Sequence, residues 1–166
     1  MKSTPIRSKR RGFTLMEILV SVGIFALITG VLIVRFGQAN RKAKISKAQT
    51  DLEQLKTSIE ILYEDTGQHP LHLSLSPCVQ VSSTDVNTSS AGIITSDGSF
   101  PNWNGPYLTS LPLDPWGRQY RFNARYTCNT ANGCSGMMGV QSRVVHSRGS
   151  DGTVGNSDDV ASVLCR

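Results

Sequence analysis

Apolar and small residues run from Phe13 to Val34, with Glu17 the one charged position among them. At a rise of about 1.5 Å per residue this stretch reaches roughly 33 Å, the thickness of a bilayer's hydrocarbon core, and it predicts a membrane-spanning helix over 13–36. Past it the character changes without a break. Asn40-Arg41-Lys42-Ala43-Lys44 is polar and cationic, and then Ala48, Leu52, Leu55, Ile59 and Leu62 recur at spacings of four and three. That stripe marks the buried face of an amphipathic helix, predicted to continue the first over 37–66 and to stop at Asp65-Thr66-Gly67. From Phe13 to about Asp65 the helix is expected to be on the order of 80 Å long. Gly23, Gly30 and Gly37 recur on one side of it, which leaves close helix approach, local melting and the ordinary abundance of glycine in membrane helices all open.

The remainder, 67–166, has room for one modest head and no second domain. Leu71 to Phe100 is rich in Ser, Thr, Asn and Gly and reads as an extended, mobile loop over the helix. Gln119-Tyr-Arg-Phe122 and Val140-Gln-Ser-Arg-Val-Val-His146 alternate well enough for strands, so the expected class is α+β, one long N-terminal helix on a small antiparallel sheet. Asp114-Pro-Trp-Gly117 carries proline second and glycine fourth, as a type I turn favours, with an indole to close the core beneath it.

Charge sharpens the reading of the N-terminus. Lys2, Arg7, Lys9, Arg10 and Arg11 precede Gly12, whereas all 12 acidic residues follow it, so the formal charge of +5 belongs to the first dozen residues and the rest is neutral. The basic start fixes the cytoplasmic side of the helix and gives no ground for nucleic-acid binding. Within the apolar run, an ionised Glu17 costs roughly 2.5–3.5 kcal/mol on insertion scales and calls for a cationic partner. Arg10 and Arg11 lie at the water side and Arg35 is about 27 Å further along the helix, so that partner is an amine from another molecule. An ordinary secretory signal shares the basic start, but the apolar stretch is longer than a signal core and no small-x-small site comes after it.

Four cysteines, Cys78, Cys128, Cys134 and Cys165, all lie beyond the apolar helix and lack metal spacing, which predicts two disulfides in an oxidising compartment. Cys128 and Cys134 enclose five residues around Asn132-Gly133, which suits a local bridge and leaves Cys78 with Cys165; all three pairings stay open. No catalytic constellation is legible. His69 and His72 are separated by Pro70, which spoils a helical metal pair, and both read as solvated loop residues. The run Ser147-Arg-Gly-Ser-Asp151-Gly-Thr-Val-Gly-Asn-Ser-Asp158-Asp159 is dense in hard oxygen donors without the EF-hand pattern, so composition leaves calcium and a solvated turn both open.

Gly12-Phe13-Thr14-Leu15-Met16-Glu17-Ile18-Leu19-Val20 resembles the processing signature of type IV pilins and of the pseudopilins of type II secretion. The resemblance implies a leader, 1–12, removed by a prepilin peptidase between Gly12 and Phe13, an N-methylated Phe13, and Glu17 pairing with the Phe13 amine of a neighbouring subunit. Three later landmarks resemble the major-pseudopilin family in particular: Tyr63-Glu-Asp-Thr-Gly-Gln-His-Pro70, Gly105-Pro-Tyr-Leu108 with Leu111-Pro112, and Asp114-Pro-Trp-Gly-Arg-Gln-Tyr120. The C-terminal run resembles that family's calcium loop, implying calcium held by Asp151, Asp158 and Asp159 with backbone carbonyls near Ser147 and Ser150.

The function implied by this resemblance is that of a non-enzymatic subunit of a periplasmic pseudopilus. It would be anchored once in the inner membrane with its head in the periplasm, and would assemble into a helical homo-oligomer that helps drive protein export. The implied partners are the prepilin peptidase, the inner-membrane assembly platform and minor pseudopilins. A surface pilus subunit for adhesion, motility or DNA uptake is the nearest alternative, and a tethered binding domain that never polymerises is the second. The two expected bridges and the insertion between Tyr126 and Gln141 depart from the pseudopilin pattern.

Overall fold

A computed structural model describes residues 12–165, with the side chains of residues 30–36 outside the description. The predicted helix is present as one element, α1, Leu15–Thr66, and the chain divides into two compact units between Arg41 and Lys42.

In the first unit Thr14 caps α1. The Glu17 amide lies 3.2 Å from Thr14 Oγ1 and 3.1 Å from the Thr14 carbonyl, so the helix start is satisfied locally. Phe13, Leu15, Met16, Leu19, Phe25 and Leu27 are each more than 60% exposed, a run of apolar side chains that the single chain leaves uncovered. Among the described residues no helix is long and apolar enough to cross a membrane. The span expected over 13–36 includes 30–36, which fall outside the described side chains, as does the leader over 1–11.

In the second unit the stripe read from sequence is the core-facing side of α1: Ala48, Leu52, Leu55, Ile59 and Leu62 are at most 1% exposed. The first four of them pack on a four-stranded antiparallel sheet ordered β1-β2-β3-β4, formed by Ser83–Asp85, Arg121–Cys128, Val140–Ser147 and Val160–Cys165. Phe122 opposes Val145, and Val144 opposes Val163. Tyr120, Phe122, Ala124, Val145 and Val160 join the helix side chains in one apolar cluster. Buried Asp51 ties helix to sheet by accepting the Tyr120 hydroxyl at 2.7 Å and Lys47 Nζ at 3.1 Å.

The stretch expected to be a bare loop is built into this core. Val86, Ala91 and Ile93 are fully buried and Phe100 is 5% exposed, while β1 pairs with β2 through Ser83↔Asn123 and Asp85↔Arg121. A strand of three polar residues carries no periodic signal of its own; its partner on β2 defines it. The opposite face of the sheet is covered by the insertion after β2. Tyr126, Cys128, Ala131, Cys134, Met137, Val144 and Ala161 form a second apolar cluster there. Both disulfides take the pairing favoured from spacing, Cys128–Cys134 within the insertion and Cys78–Cys165 from the loop to β4.

Candidate functional site

Two sets of residues carry the expected chemistry, one in each unit. In the first, Gly12 opens the described chain, Phe13 is 78% exposed, and Glu17 stands exposed in the first turn of α1. Among the described residues Glu17 joins no ion pair. The Ser21 hydroxyl donates to the Glu17 carbonyl at 2.7 Å, so only the backbone of this residue is engaged locally. A carboxylate in the first turn of a helix lies favourably against the positive end of the helix dipole.

The second set is the loop between β3 and β4, and residues distant in sequence shape it. Asp114 Oδ1 accepts the amides of Trp116 at 3.0 Å and Arg118 at 2.8 Å, and the Gly117 amide closes onto the Asp114 carbonyl at 2.9 Å, the turn expected from Asp-Pro-Trp-Gly. Its other oxygen, Oδ2, accepts the hydroxyl of buried Ser147, which in turn accepts the Gly149 amide. Arg118 reaches further and donates from Nη1 to the Gly149 carbonyl at 2.7 Å. The landmark turn therefore fixes where the loop leaves β3. Gly149 has φ +58° and its Cα faces the Asp158 backbone so closely that a Cβ could not be accommodated.

Within the loop the aspartates divide their oxygens among local donors. Asp158 Oδ2 accepts the Ser150 amide at 2.6 Å, the Ser150 hydroxyl at 2.7 Å and the Asp151 amide at 3.0 Å. Desolvation opposes its ionisation, but these donors prevail and hold its carboxyl below the usual range. Asp151 accepts Thr153 N and Asn156 Nδ2, both at 2.7 Å. Asp159 is fully buried; its Oδ2 accepts the Tyr126 hydroxyl at 2.6 Å and the Gly155 amide at 2.7 Å, while its Oδ1 has no hydrogen-bond partner. Burial pushes the Asp159 carboxyl upward, and the charges of Asp158 and Asp151 add to the push against the hydrogen bonds from Tyr126 and Gly155. Among the described residues no group of three or more His, Cys, Asp or Glu side chains is arranged to hold a metal.

The insertion braces this loop from the far side, which no sequence pattern announces. Asn132 donates its amide to the Asp159 carbonyl at 2.9 Å and its Nδ2 to the Ser157 carbonyl at 3.3 Å, and its own carbonyl accepts the Ala161 amide at 2.7 Å. The Cys128–Cys134 bridge closes the turn that presents Asn132, so a covalent link within the insertion supports the backbone on both sides of Asp159.

Two of the three histidines are buried rather than solvated. His69 is 4% exposed because its backbone pairs with Leu73 in both directions and its ring packs edge-on against Tyr63 at 5.2 Å. His146 is 1% exposed on β3. His72 is half-buried, with Nε2 2.9 Å from Asp97. Burial, aided by Arg121 and Arg148, lowers His146 to about 4, and burial aided by Arg143 does the same to His69. Both rings are neutral when folded and gain a proton more readily when unfolded. Stability is therefore full above the unfolded value of 6.5 and declines as pH falls towards 4. His146 alone is expected to cost roughly 2 kcal/mol at about pH 5. A lower urea midpoint at pH 5 than at pH 7.5 is the expected result, and equal midpoints would contradict it.

Comparison with known proteins matches each of these two sets to a family model. The model for the prokaryotic N-terminal methylation motif matches residues 7–33, which contain Gly12, Phe13 and Glu17, and the model for type II secretion system (T2SS), protein G, matches residues 35–165. The chain belongs to the type II secretion system protein G family. A type II secretion system core protein G of Pseudomonas aeruginosa is 26% identical over 159 residues, covering 95% of both chains. Its counterpart in Klebsiella michiganensis is 25% identical over 155 residues, covering 93% of both. The crystal structure of the major pseudopilin of enterohaemorrhagic Escherichia coli is similar at a TM-score of 0.44 with 22% identity, covering 76% of this chain and 90% of that one. In this protein G family member the Asp114-Pro-Trp-Gly turn, Arg118, Tyr126 and Asn132 are the supports of the C-terminal loop, beyond the three aspartates read from sequence.

Proposed function

We propose that the chain is a structural subunit of the pseudopilus of a type II secretion system, polymerising through its N-terminal helix to help move folded proteins outward. The observation that carries this is the exposed apolar start of α1 with one unpaired carboxylate in its first turn, ahead of a disulfide-stapled head. Such a helix cannot stay bare in water: it is stored in a membrane or buried against other copies of itself. Cleavage between Gly12 and Phe13 by a prepilin peptidase frees an amine four residues before Glu17. When copies stack with an axial offset, that amine of one meets the carboxylate of the next in an apolar setting where each charge needs the other. Hydrophobic packing of the helices supplies most of the energy, and the charge pair sets their register.

The subunit crosses the inner membrane once before assembly, with its head in the periplasm, and engages the assembly platform and minor pseudopilins from there. The compartment also suits the two disulfides. Deleting the chain from its host is expected to stop export of type II cargo while surface piliation continues; lost piliation with normal export would overturn the secretion reading.

Calcium at the C-terminal loop belongs to the same proposal. Asp159 contributes a buried oxygen with no donor, beside Asp158 and Asp151, and a divalent cation would satisfy that oxygen and offset the three like charges. Asp151, Asp158 and Asp159, which this structure does not group around one point, would draw together to hold it with nearby carbonyls, and the ion would supply cross-linking of the loop rather than chemistry. Removing calcium with EGTA is expected to lower the melting temperature of the wild-type chain, by up to about 2.7 kcal/mol of stability where calcium stood at a hundred times its Kd. Asp159→Ala should abolish the difference. An EGTA-insensitive wild type would rule the site out.

A further inference from the structure

Near the end of α1 the head carries a cleft of about 340 Å³ lined by Glu60, Tyr63, Glu64, His69, Leu75 and Leu164. Glu60 and Glu64 are one helical turn apart, exposed, and joined to no cation among the described residues. Behind them His69 is 4% exposed, and its Nδ1 has no partner. Burial, aided by the charge of Arg143, holds the ring neutral, so it adds no positive charge to the cleft. Arg143, whose charge helps keep His69 neutral, is itself fully buried and donates to the carbonyls of Ser74 and Pro77, leaving the two carboxylates as the charge presented at the mouth. Two unpaired carboxylates, an aromatic ring, a buried unpartnered imidazole and apolar walls form a receptor for a long cationic side chain.

The chain holds the complement of this cleft on the same helix. No acidic residue occurs between Glu17 and Asp51, whereas Arg35, Arg41, Lys42, Lys44 and Lys47 do; from Asp51 to Asp65 five acids meet the single base Lys56. Lys47 is already paired with Asp51. Arg41 and Lys44, three residues apart, share one face. Arg41 precedes Glu60 by 19 residues and Lys44 precedes Glu64 by 20. At about 100° and about 1.5 Å per residue, Lys44 lies on the opposite side of the helix from Glu60 and Glu64 and roughly 25–30 Å before them, with Arg41 three residues ahead of it in the sequence. Two parallel copies side by side present nearly opposite faces to each other, so a copy displaced by that distance along the axis sets Arg41 and Lys44 against Glu60 and Glu64 of its neighbour.

We infer that the cleft at Glu60, Tyr63, Glu64 and His69 is a socket for Arg41 and Lys44 of a second copy of this chain, fixing a stagger of roughly 30 Å between contacting subunits. The inference rests on the filament reading above and specifies which residues choose the neighbour. The opposite signs steer the approach, and like charges reject other registers.

The test is a charge-swap cycle in the full-length chain, with filament yield read by electron microscopy of periplasmic material released from opened cells and both disulfides verified by non-reducing mass. Glu60→Lys with Glu64→Lys is expected to cut the yield by about tenfold or more, as is Arg41→Glu with Lys44→Glu, and the four together are expected to restore it to within about threefold of wild type. Recovery in the combined variant supports the pairing, because a misfolded head could not regain assembly. A wild-type yield in either reversed pair, or no recovery in the combination, overturns the socket while leaving the filament in place; a wild-type chain that forms no filaments overturns both.

Discussion

Replacing Glu17 by alanine is expected to leave the chain inserted in the membrane and cleaved after Gly12, while filament yield falls by about a hundredfold or more. Insertion should even improve slightly, because the substitution removes the one charge in an otherwise apolar run. In the proposed filament assembly suffers because the Phe13 amine, buried between helices there, then has no counter-charge. An unpaired buried charge costs roughly 3–5 kcal/mol, and about 1.4 kcal/mol is a factor of ten. Membrane fractionation with immunoblotting reads insertion and cleavage, and electron microscopy of periplasmic material released from opened cells reads assembly. Normal filaments from the alanine variant would mean that helix packing alone sets the register.

The second large effect concerns the staple between the packed loop and β4. Cys78 and Cys165 are 87 residues apart, and Cys128 and Cys134 only 6. The entropy withheld from the unfolded chain grows with the closed loop, so losing the long bridge is expected to cost about 4–5 kcal/mol and losing the short one about 2–3. Paired Cys→Ser variants of the full chain, compared by urea midpoint in detergent, should rank in that order. The short bridge has a separate duty, since it presents Asn132 to the Asp159 backbone. Its loss should therefore raise hydrogen exchange in 155–161 more than the long bridge's loss does, despite the smaller global effect.

The sequence was most transparent where one periodic stripe met one surface. Ala48, Leu52, Leu55, Ile59 and Leu62 could be assigned to the core because helical spacing alone puts them on one face. Strand β3 was legible for a similar reason, though its last six residues are all buried because the insertion covers the second face of the sheet. Strand β4, Val-Ala-Ser-Val-Leu-Cys, does not alternate, and β1 is three polar residues; both are defined by pairing with distant partners. The same limit applied to the C-terminal loop. Its aspartates were visible as a cluster of oxygens, but Tyr126 lies 33 residues from Asp159 and Arg118 lies 31 from Gly149, and no local pattern signals either contact. His69 looked solvated because nothing in its neighbours reveals that Tyr63 covers its ring.

The central claim is that the chain enters the pilin-type maturation pathway, and intact-mass spectrometry of the protein from its native membrane tests it most directly. Measured under non-reducing conditions with the prepilin peptidase present, the protein is expected to begin at N-methylated Phe13 and carry two disulfides, and without the peptidase to begin at Met1. A chain that begins at Met1 in both backgrounds would contradict it, because Glu17 would then have no Phe13 amine to meet.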